Sequence, residues 1–167
     1  MIGNRLALYD ETFFCELISK AETNPRHRQH HNIHNCYTDP CQRLFNALTE
    51  RTFIRPHRHF SDPKNELLIA ISGHMVLVTF CPSGNITDIT HLKPTTNEID
   101  VAVGANISPE TWHTVIALEP NCVLLEVKAG PFDQSSPKDL ASWAPEEGTR
   151  EAGRYLEQLR MKIQNWK

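Results

Sequence analysis

Apolar and polar positions along this chain change their periodicity near residue 50. Between Asp10 and Ala21 the apolar residues recur at helical spacing, and Asp10 suits the N-cap position. From residue 51 to residue 128, short apolar and β-branched runs alternate with turn residues such as Gly, Pro and Asn. We therefore predict an N-terminal helix followed by a mainly β region.

The β region divides into seven predicted strands. They span residues 51–59, 66–72, 74–80, 85–92, 98–103, 112–118 and 121–128. Because no helical segment separates these strands, they are expected to pair antiparallel. The pattern is typical of a β-sandwich or barrel of the jelly-roll type, and it makes a parallel α/β fold a poor fit.

Two more helices are predicted outside the strands. Asp39, Pro40 and Gln42 have the form of a capped helix start, and that helix would end at about Thr49. A final helix is predicted after Pro145. We expect one structural domain: a helical and loop extension packed on the barrel (1–50), the barrel (51–130), and a C-terminal loop and helix (131–167).

Composition and charge exclude several classes of function. The formal net charge of -3 gives no electrostatic case for binding nucleic acid or an anionic membrane. No stretch approaches the roughly 18 consecutive apolar residues that span a bilayer, and the N-terminus lacks the form of a signal peptide, so a cytoplasmic protein is expected. The five cysteines, without a CxxC pair, argue against a disulfide framework and a zinc ribbon.

Histidine is the residue type that points to chemistry. Seven of the nine histidines fall between His27 and His74. Residues two apart in a strand face the same way, so His57 and His59 share a side, and Glu66 can join them if the next strand folds back. Two imidazoles and a carboxylate at one point suit a divalent transition metal.

Basic residues near these histidines suggest binding of an anion. Arg26, Arg28 and His34 belong to a polar segment without apolar periodicity, interpreted as a loop or extended arm. The segment can bind an anionic ligand, hold a second metal through His30 and His34 if helical, or be a solvated loop. Arg55 shares the predicted face of the histidines and can hold an anion or form a salt bridge at the barrel mouth.

The last predicted strand carries two further candidates. Leu124, Glu126 and Lys128 share one face of it. If that face points inward, Glu126 can act as a general base and Lys128 can help to hold an anion. If the face points outward, Glu126 is a surface charge or a member of a structural ion pair. The sequence leaves both alternatives open.

Two motifs resemble those of the cupin superfamily. His57-x-His59, a loop, Glu66 and Gly73 look like the first cupin motif. The stretch Ser108–His113 resembles the second motif, whose single histidine is the fourth metal ligand. The resemblance implies that His57, His59, Glu66 and His113 hold the metal.

A resemblance to the WbuC family of cupin-fold metalloproteins covers most of the chain. It rests on several stretches in the same order: Pro25–Arg28, Asn32–His34, Asp39–Leu44, Arg55–His59, Pro109–Thr114, Glu126–Phe132 and Trp143–Glu147. That family is associated with bacterial surface-polysaccharide (O-antigen) gene clusters. The resemblance implies a mainly β cupin jelly roll, a divalent metal, and pairing into a homodimer.

The ligand set and the resemblance together favour three hypotheses. Three histidines and one carboxylate leave positions open for water or substrate and suit Zn, Fe, Mn or Ni. The first hypothesis is an isomerase or epimerase acting on an anionic sugar or sugar-nucleotide. The second is an Fe(II) oxygenase, and the third is a non-catalytic, metal-dependent sugar-binding module.

Overall fold

The computed structural model describes residues 6–95, 97–133, 135 and 138–166, and this part of the chain contains two helices and eleven strands. The helices are α1 (Glu11–Thr23) and α2 (Arg150–Gln164). The strands are β1 (Arg28–Asn32), β2 (Cys41–Leu48), β3 (His57–Arg58), β4 (Glu66–Ser72), β5 (Met75–Phe80), β6 (Ile86–Leu92), β7 (Val101–Ala102), β8 (Gly104–Ile107), β9 (Trp112–Ala117), β10 (Cys122–Ala129) and β11 (Asp139–Leu140).

The strands form two sheets that face each other across the core. One sheet has the order β1-β2-β10-β4-β8, and the other has the order β11-β3-β9-β5-β6-β7. All described strand pairs are antiparallel except β6 with β7. Apolar side chains from both sheets, such as Leu48, Leu68, Leu77 and Leu124, fill the space between them. The fold is the predicted mainly β cupin jelly roll.

Helix α1 covers the outer face of the five-stranded sheet. The Asp10 carboxylate accepts a hydrogen bond from the Phe13 amide at 2.9 Å and caps the helix, as predicted. Leu17 and Ala21 are buried against β2 and β10, where they contact the cluster that contains Phe45 and Val123. The apolar face that the sequence predicts is therefore the face that packs against the five-stranded sheet.

Helix α2 covers the outer face of the other sheet. Its buried stripe consists of four predicted residues: Ala152, Leu156, Leu159 and Ile163. The helix begins at Arg150, five residues after Pro145, because the hydroxyl of Thr149 accepts from the Ala152 amide and provides the N-cap. No helix in the described chain is both long and apolar enough to span a bilayer.

The prediction of a helix between Asp39 and Thr49 is wrong, because this segment contains strand β2. The Asp39 carboxylate accepts from the Cys41 amide at 3.0 Å within a turn and caps no helix. Strand β2 lies between β1 and β10 and is buried on both faces, with Leu48 in the central core and Phe45 under α1. A strand buried on both faces loses its alternation, and its apolar residues can imitate helical spacing.

The first 50 residues, expected as a helical and loop extension, therefore supply β1 and β2 to the five-stranded sheet. The predicted strand 51–59 is regular only at His57–Arg58. Residues 104–107, expected to be a turn, form β8 and pair with β4. Gly104 permits this pairing, because an added Cβ would lie 2.3 Å from the Leu68 carbonyl oxygen.

Candidate metal centre

Four buried side chains meet inside the barrel. Strand β3 supplies His57, the turn after it supplies His59, β4 opens with Glu66, and β9 contains His113. His57 and His113 are partners across the β3–β9 ladder. One ligand atom from each of the four residues lies within 4.8 Å of the others, a grouping that suits a metal ion.

The loop between His59 and Glu66 is held by a residue far along the chain. The amides of Phe60 and Ser61 each donate to Asp139 Oδ2 at 2.9 Å. Asp139 belongs to β11, which pairs with β3. This contact turns the chain back so that β4 begins beside the two histidines.

Backbone carbonyls fix the orientation of two imidazoles. His57 Nδ1 lies 3.1 Å from the Arg55 carbonyl, and His113 Nδ1 lies 2.9 Å from the Thr111 carbonyl. A carbonyl can only accept, so Nδ1 carries the proton in both rings and Nε2 keeps its lone pair. This is the arrangement that metal-binding histidines use.

With the proton on Nδ1, the imidazoles of His57 and His113 suit a cation held between the four clustered side chains. His113 Nε2 lies 3.1 Å from Glu66 Oε2, and His59 Nε2 lies 3.4 Å from the same oxygen without a hydrogen bond. A carboxylate oxygen and a neutral His113 Nε2 both present lone pairs and repel each other at this distance unless a proton or a metal ion lies between them. The donor set of three imidazoles and one carboxylate therefore fits a divalent transition metal.

The protonation states agree with this fit. Burial, together with the charge of Lys138, holds the pKa of His57 well below its usual range, so the ring stays neutral. Burial acts to raise the pKa of Glu66, but the close contacts with His113 and His59, together with the charge of Lys128, outweigh it and hold that pKa well below its usual range. Metal ligands must be deprotonated, and both groups are.

A cavity of about 350 Å³ opens onto the four residues. Ile54, Leu68, Val115 and Leu124 form apolar parts of its wall. Its remaining polar lining residues are Arg26, Arg28, His30, Asn46, Glu126, Lys128 and Lys138. The cavity can hold a small polar ligand in contact with a metal.

Glu126 and Lys128 point inward, into this cavity. Lys128 Nζ lies 2.5 Å from Glu126 Oε1 and 3.6 Å from Glu66 Oε1. Burial, reinforced by the charge of Glu66, raises the pKa of Glu126 to about 7. Burial acts to lower the pKa of Lys128, but the charges of Glu126 and Glu66 raise it overall. Lys128 is therefore a cation at neutral pH.

Arg26 and Arg28 also line the cavity, and one carboxylate holds both. Glu147 Oε2 lies 3.2 Å from Arg26 NH2 and 2.8 Å from Arg28 NH2. Arg28 is buried, and its other amino group donates to the Phe53 carbonyl. The segment interpreted as a loop or arm thus runs partly as β1 along the cavity.

Arg55 lies outside the cavity lining. Its Nε and NH2 donate to the Ala141 carbonyl at 3.0 and 2.7 Å. Strand parity had placed Arg55 beside the histidines, but residues 51–56 are irregular, so the alternation does not apply. The contact of Arg55 with a backbone carbonyl is neither of the two alternatives that the sequence left open, which were an anion and a salt bridge.

His34 lines a neighbouring cavity of about 400 Å³ together with Tyr37 and Phe132. Its Nδ1 lies 2.9 Å from the Arg43 carbonyl. His30 lies in β1 and not in a helix, so the condition for a second metal site at His30 and His34 is not met. Within the described chain, the group of three or more potential ligands is the one at His57, His59, Glu66 and His113.

The sequence pattern did not single out Lys138 as a site residue, and it included His30 only among the alternatives for the polar segment, which were an anion-binding or site-lining segment, a ligand of a second metal, or a solvated loop. Lys138 lies in a segment rich in Pro and Ser that has no periodicity, so nothing in the local sequence indicates which way it points. Only the course of the chain back over the barrel brings it to the cavity.

Solved structures share this fold at low sequence identity. Protein SO0799 from Shewanella oneidensis is 9% identical, covers 80% of this chain and 85% of its own, and has a TM-score of 0.56. The capsular polysaccharide assembling protein CapF from Staphylococcus aureus is 16% identical, with coverage of 67% and 29% and a TM-score of 0.51. A variant of oxalate decarboxylase from Bacillus subtilis is 16% identical, with coverage of 70% and 28% and a TM-score of 0.50.

These likenesses show that the chain has the cupin jelly-roll fold. No curated protein sequence matches the chain. A family model does match, over residues 9–92, and its description is a domain of unknown function, DUF6016. That range includes α1, both strands of the N-terminal segment, and three of the four clustered residues. The chain therefore belongs to the DUF6016 family.

Proposed function

We propose that this protein is a metal-dependent enzyme of the isomerase or epimerase type that moves a proton on a small anionic sugar derivative. The observation that carries the proposal is the position of Glu126 in the same open cavity as the metal-ligand cluster. In the metal-free protein the pKa of Glu126 is raised to about 7, and a metal bound nearby lowers it again, which leaves the ionised carboxylate that a general base needs at neutral pH.

The proposed metal is held by His57, His59, Glu66 and His113, and it is Zn, Fe, Mn or Ni. When bound, such a metal polarises a carbonyl oxygen of the substrate as a Lewis acid. The four residues line an open cavity, so a substrate oxygen could reach a metal that they hold.

In the proposed step, Glu126 removes the proton from the carbon next to the substrate carbonyl. The electron pair of that C–H bond moves toward the carbonyl oxygen, and Glu126 returns the proton to the same carbon or to its neighbour. No electrons are gained or lost overall. Lys128, 2.5 Å from Glu126, holds the carboxylate in place and compensates its charge.

The sugar class and the pathway have separate support. The cavity of about 350 Å³ lies at the small end of the range for ligand pockets, and its mixed lining suits a polar ring with apolar faces. The resemblance to the WbuC family suggests bacterial surface polysaccharide, with O-antigen biosynthesis as the proposed setting. CapF, which shares the fold, is described as assembling capsular polysaccharide.

The proposal is tested by incubating metal-loaded protein with candidate sugar phosphates and nucleotide sugars in deuterated water. We expect solvent deuterium to be incorporated at a carbon next to the carbonyl, and NMR and mass spectrometry would detect it. The E126Q variant is expected to lose this exchange while it keeps its metal. Oxygen consumption that depends on substrate would indicate an oxygenase instead, and ligands returned unchanged would indicate a binding module.

A further inference from the structure

Lys138 differs from the other cations that line the cavity at the four clustered residues, because those cations are paired with carboxylates. Arg26 and Arg28 are both paired with Glu147, and Lys128 is paired with Glu126 and Glu66. Lys138 is partly buried in the same lining. Its ammonium makes neither an ion pair nor a hydrogen bond with any residue that the structure describes.

No acidic side chain remains that could neutralise Lys138. The residues outside the described part of the chain, which are 1–5, 96, 134, 136, 137 and 167, include no aspartate and no glutamate. All twenty acidic side chains therefore lie among the described residues. A charge that is withdrawn from water without a counter-ion is unfavourable, and a bound anion would compensate it.

The surroundings of Lys138 place such an anion beside the proposed metal. The charge of Lys138 acts on His57, one of the four clustered residues, and on His30 at the same cavity wall. Burial lowers the pKa of Lys138, which agrees with the lack of an adjacent carboxylate. The carboxylates whose charges act on Lys138 are those of Glu147, Glu126 and Glu66, and they already bind the other cavity cations.

We propose that Lys138 forms an anion subsite in the cavity and binds a phosphate or carboxylate group of the ligand. The other cavity cations serve to hold carboxylates of the protein, so recognition of the negative charge falls to Lys138. This inference rests on the proposed function only in requiring that the cavity takes a small ligand. It holds for a catalytic and for a non-catalytic protein.

The subsite also restricts the ligand. A group bound at Lys138 leaves the rest of the molecule to reach the metal ligands and Glu126 within a cavity of about 350 Å³. This favours a sugar phosphate or a sugar acid over a neutral sugar. The reaction that supplies the ligand would then be a phosphorylation or an oxidation that introduces the charge.

The test measures binding of inorganic phosphate and of acetate by calorimetry, in metal-loaded and in chelated protein. The variants are K138M, which removes the charge at similar size, and K138R, which keeps it. K162M is the matched control, because Lys162 is exposed on α2. We expect the affinity for the anion to fall about 10- to 100-fold in K138M and to be preserved in K138R and K162M.

Chelated protein separates the subsite from direct coordination of the anion by the metal. The difference between K138M and wild type is expected in both forms if Lys138 holds the anion. Equal affinity of K138M and wild type, or no binding by wild type at millimolar anion, overturns the proposal. Failure of the deuterium exchange with anion binding intact would refute the proposed reaction and leave the subsite standing.

Discussion

His113 Nε2 lies 3.1 Å from Glu66 Oε2, although the two residues are 47 positions apart in the sequence. Both side chains are buried, and His113 Nδ1 is bound to the Thr111 carbonyl. The lone pair of Nε2 therefore faces a carboxylate oxygen, an arrangement that a metal ion would stabilise. The first prediction follows from this contact.

Replacing Glu66 by Gln should weaken binding of the metal by about 100-fold or more, because an anionic ligand becomes a neutral amide. Metal content after dialysis and a competition titration with a chromogenic chelator measure this. Circular dichroism should show the fold unchanged. E157Q, which alters an exposed glutamate of α2, is the control and should keep wild-type affinity. Unchanged metal content in E66Q would exclude Glu66 as a ligand.

Metal-free E126Q should show a different dependence of stability on pH from wild type. Burial raises the pKa of Glu126 in the folded protein to about 7, above the value of 4.5 for the free side chain. The folded state therefore holds this proton more tightly, and its contribution to stability is present below about pH 4.5 and lost as pH rises through about 7.

Urea unfolding between pH 4 and 8 checks this expectation. The free energy of unfolding of wild type should fall relative to that of E126Q as the pH rises. Parallel curves for the two proteins would mean that Glu126 titrates near its ordinary value. Bound metal should lower the pKa of Glu126, because a nearby cation favours the ionised form.

Replacing Glu147 by Gln should destabilise the protein by about 2–3 kcal/mol. Glu147 binds Arg26, Arg28 and the Arg55 amide, and the side chain of Arg28 is only 4% exposed. Loss of the carboxylate leaves a buried guanidinium without a counter-ion, and the partial exposure of Glu147 reduces the penalty below that of a fully buried pair.

Chemical denaturation measures this loss. R26Q is the matched control, because Arg26 contacts the same carboxylate with a side chain that is 59% exposed. Its effect should stay within about 0.5 kcal/mol. Equal losses in E147Q and R26Q would contradict the importance assigned to the buried arginine.

Two glycines should respond to alanine in opposite directions. Gly73 has φ +74°, and an added Cβ would lie 2.6 Å from Cys122 Sγ and 2.8 Å from Cys122 Cα. G73A should lower the free energy of unfolding by about 2–3 kcal/mol through strain and the clash. Gly153 lies in α2 with open space around it, so G153A should stabilise by about 1 kcal/mol. Thermal unfolding of both variants checks the sign.

Local pattern in the sequence predicted the parts of the fold that are buried on one face. Helix α1, the stripe of α2 and strand β4 follow the expected periodicity, because each has one face in a core and one toward solvent. The pattern failed for β2, which is covered on both faces, and for β8, where a glycine-containing segment pairs with β4. It also missed β11, a strand of two residues.

The sequence by itself indicated the donor types of the candidate metal centre, because His57, His59 and Glu66 lie close together in the chain, and two imidazoles with a carboxylate suit a divalent transition metal. The tertiary structure decided which charged residues face the cavity. Glu126 and Lys128 point inward because they share the face of β10 that carries Leu124, which lies in the core. Arg55 turns to Ala141, and Lys138 reaches the cavity from a segment without periodicity. Such choices depend on the return of distant segments over the barrel, and local periodicity carries no information about them.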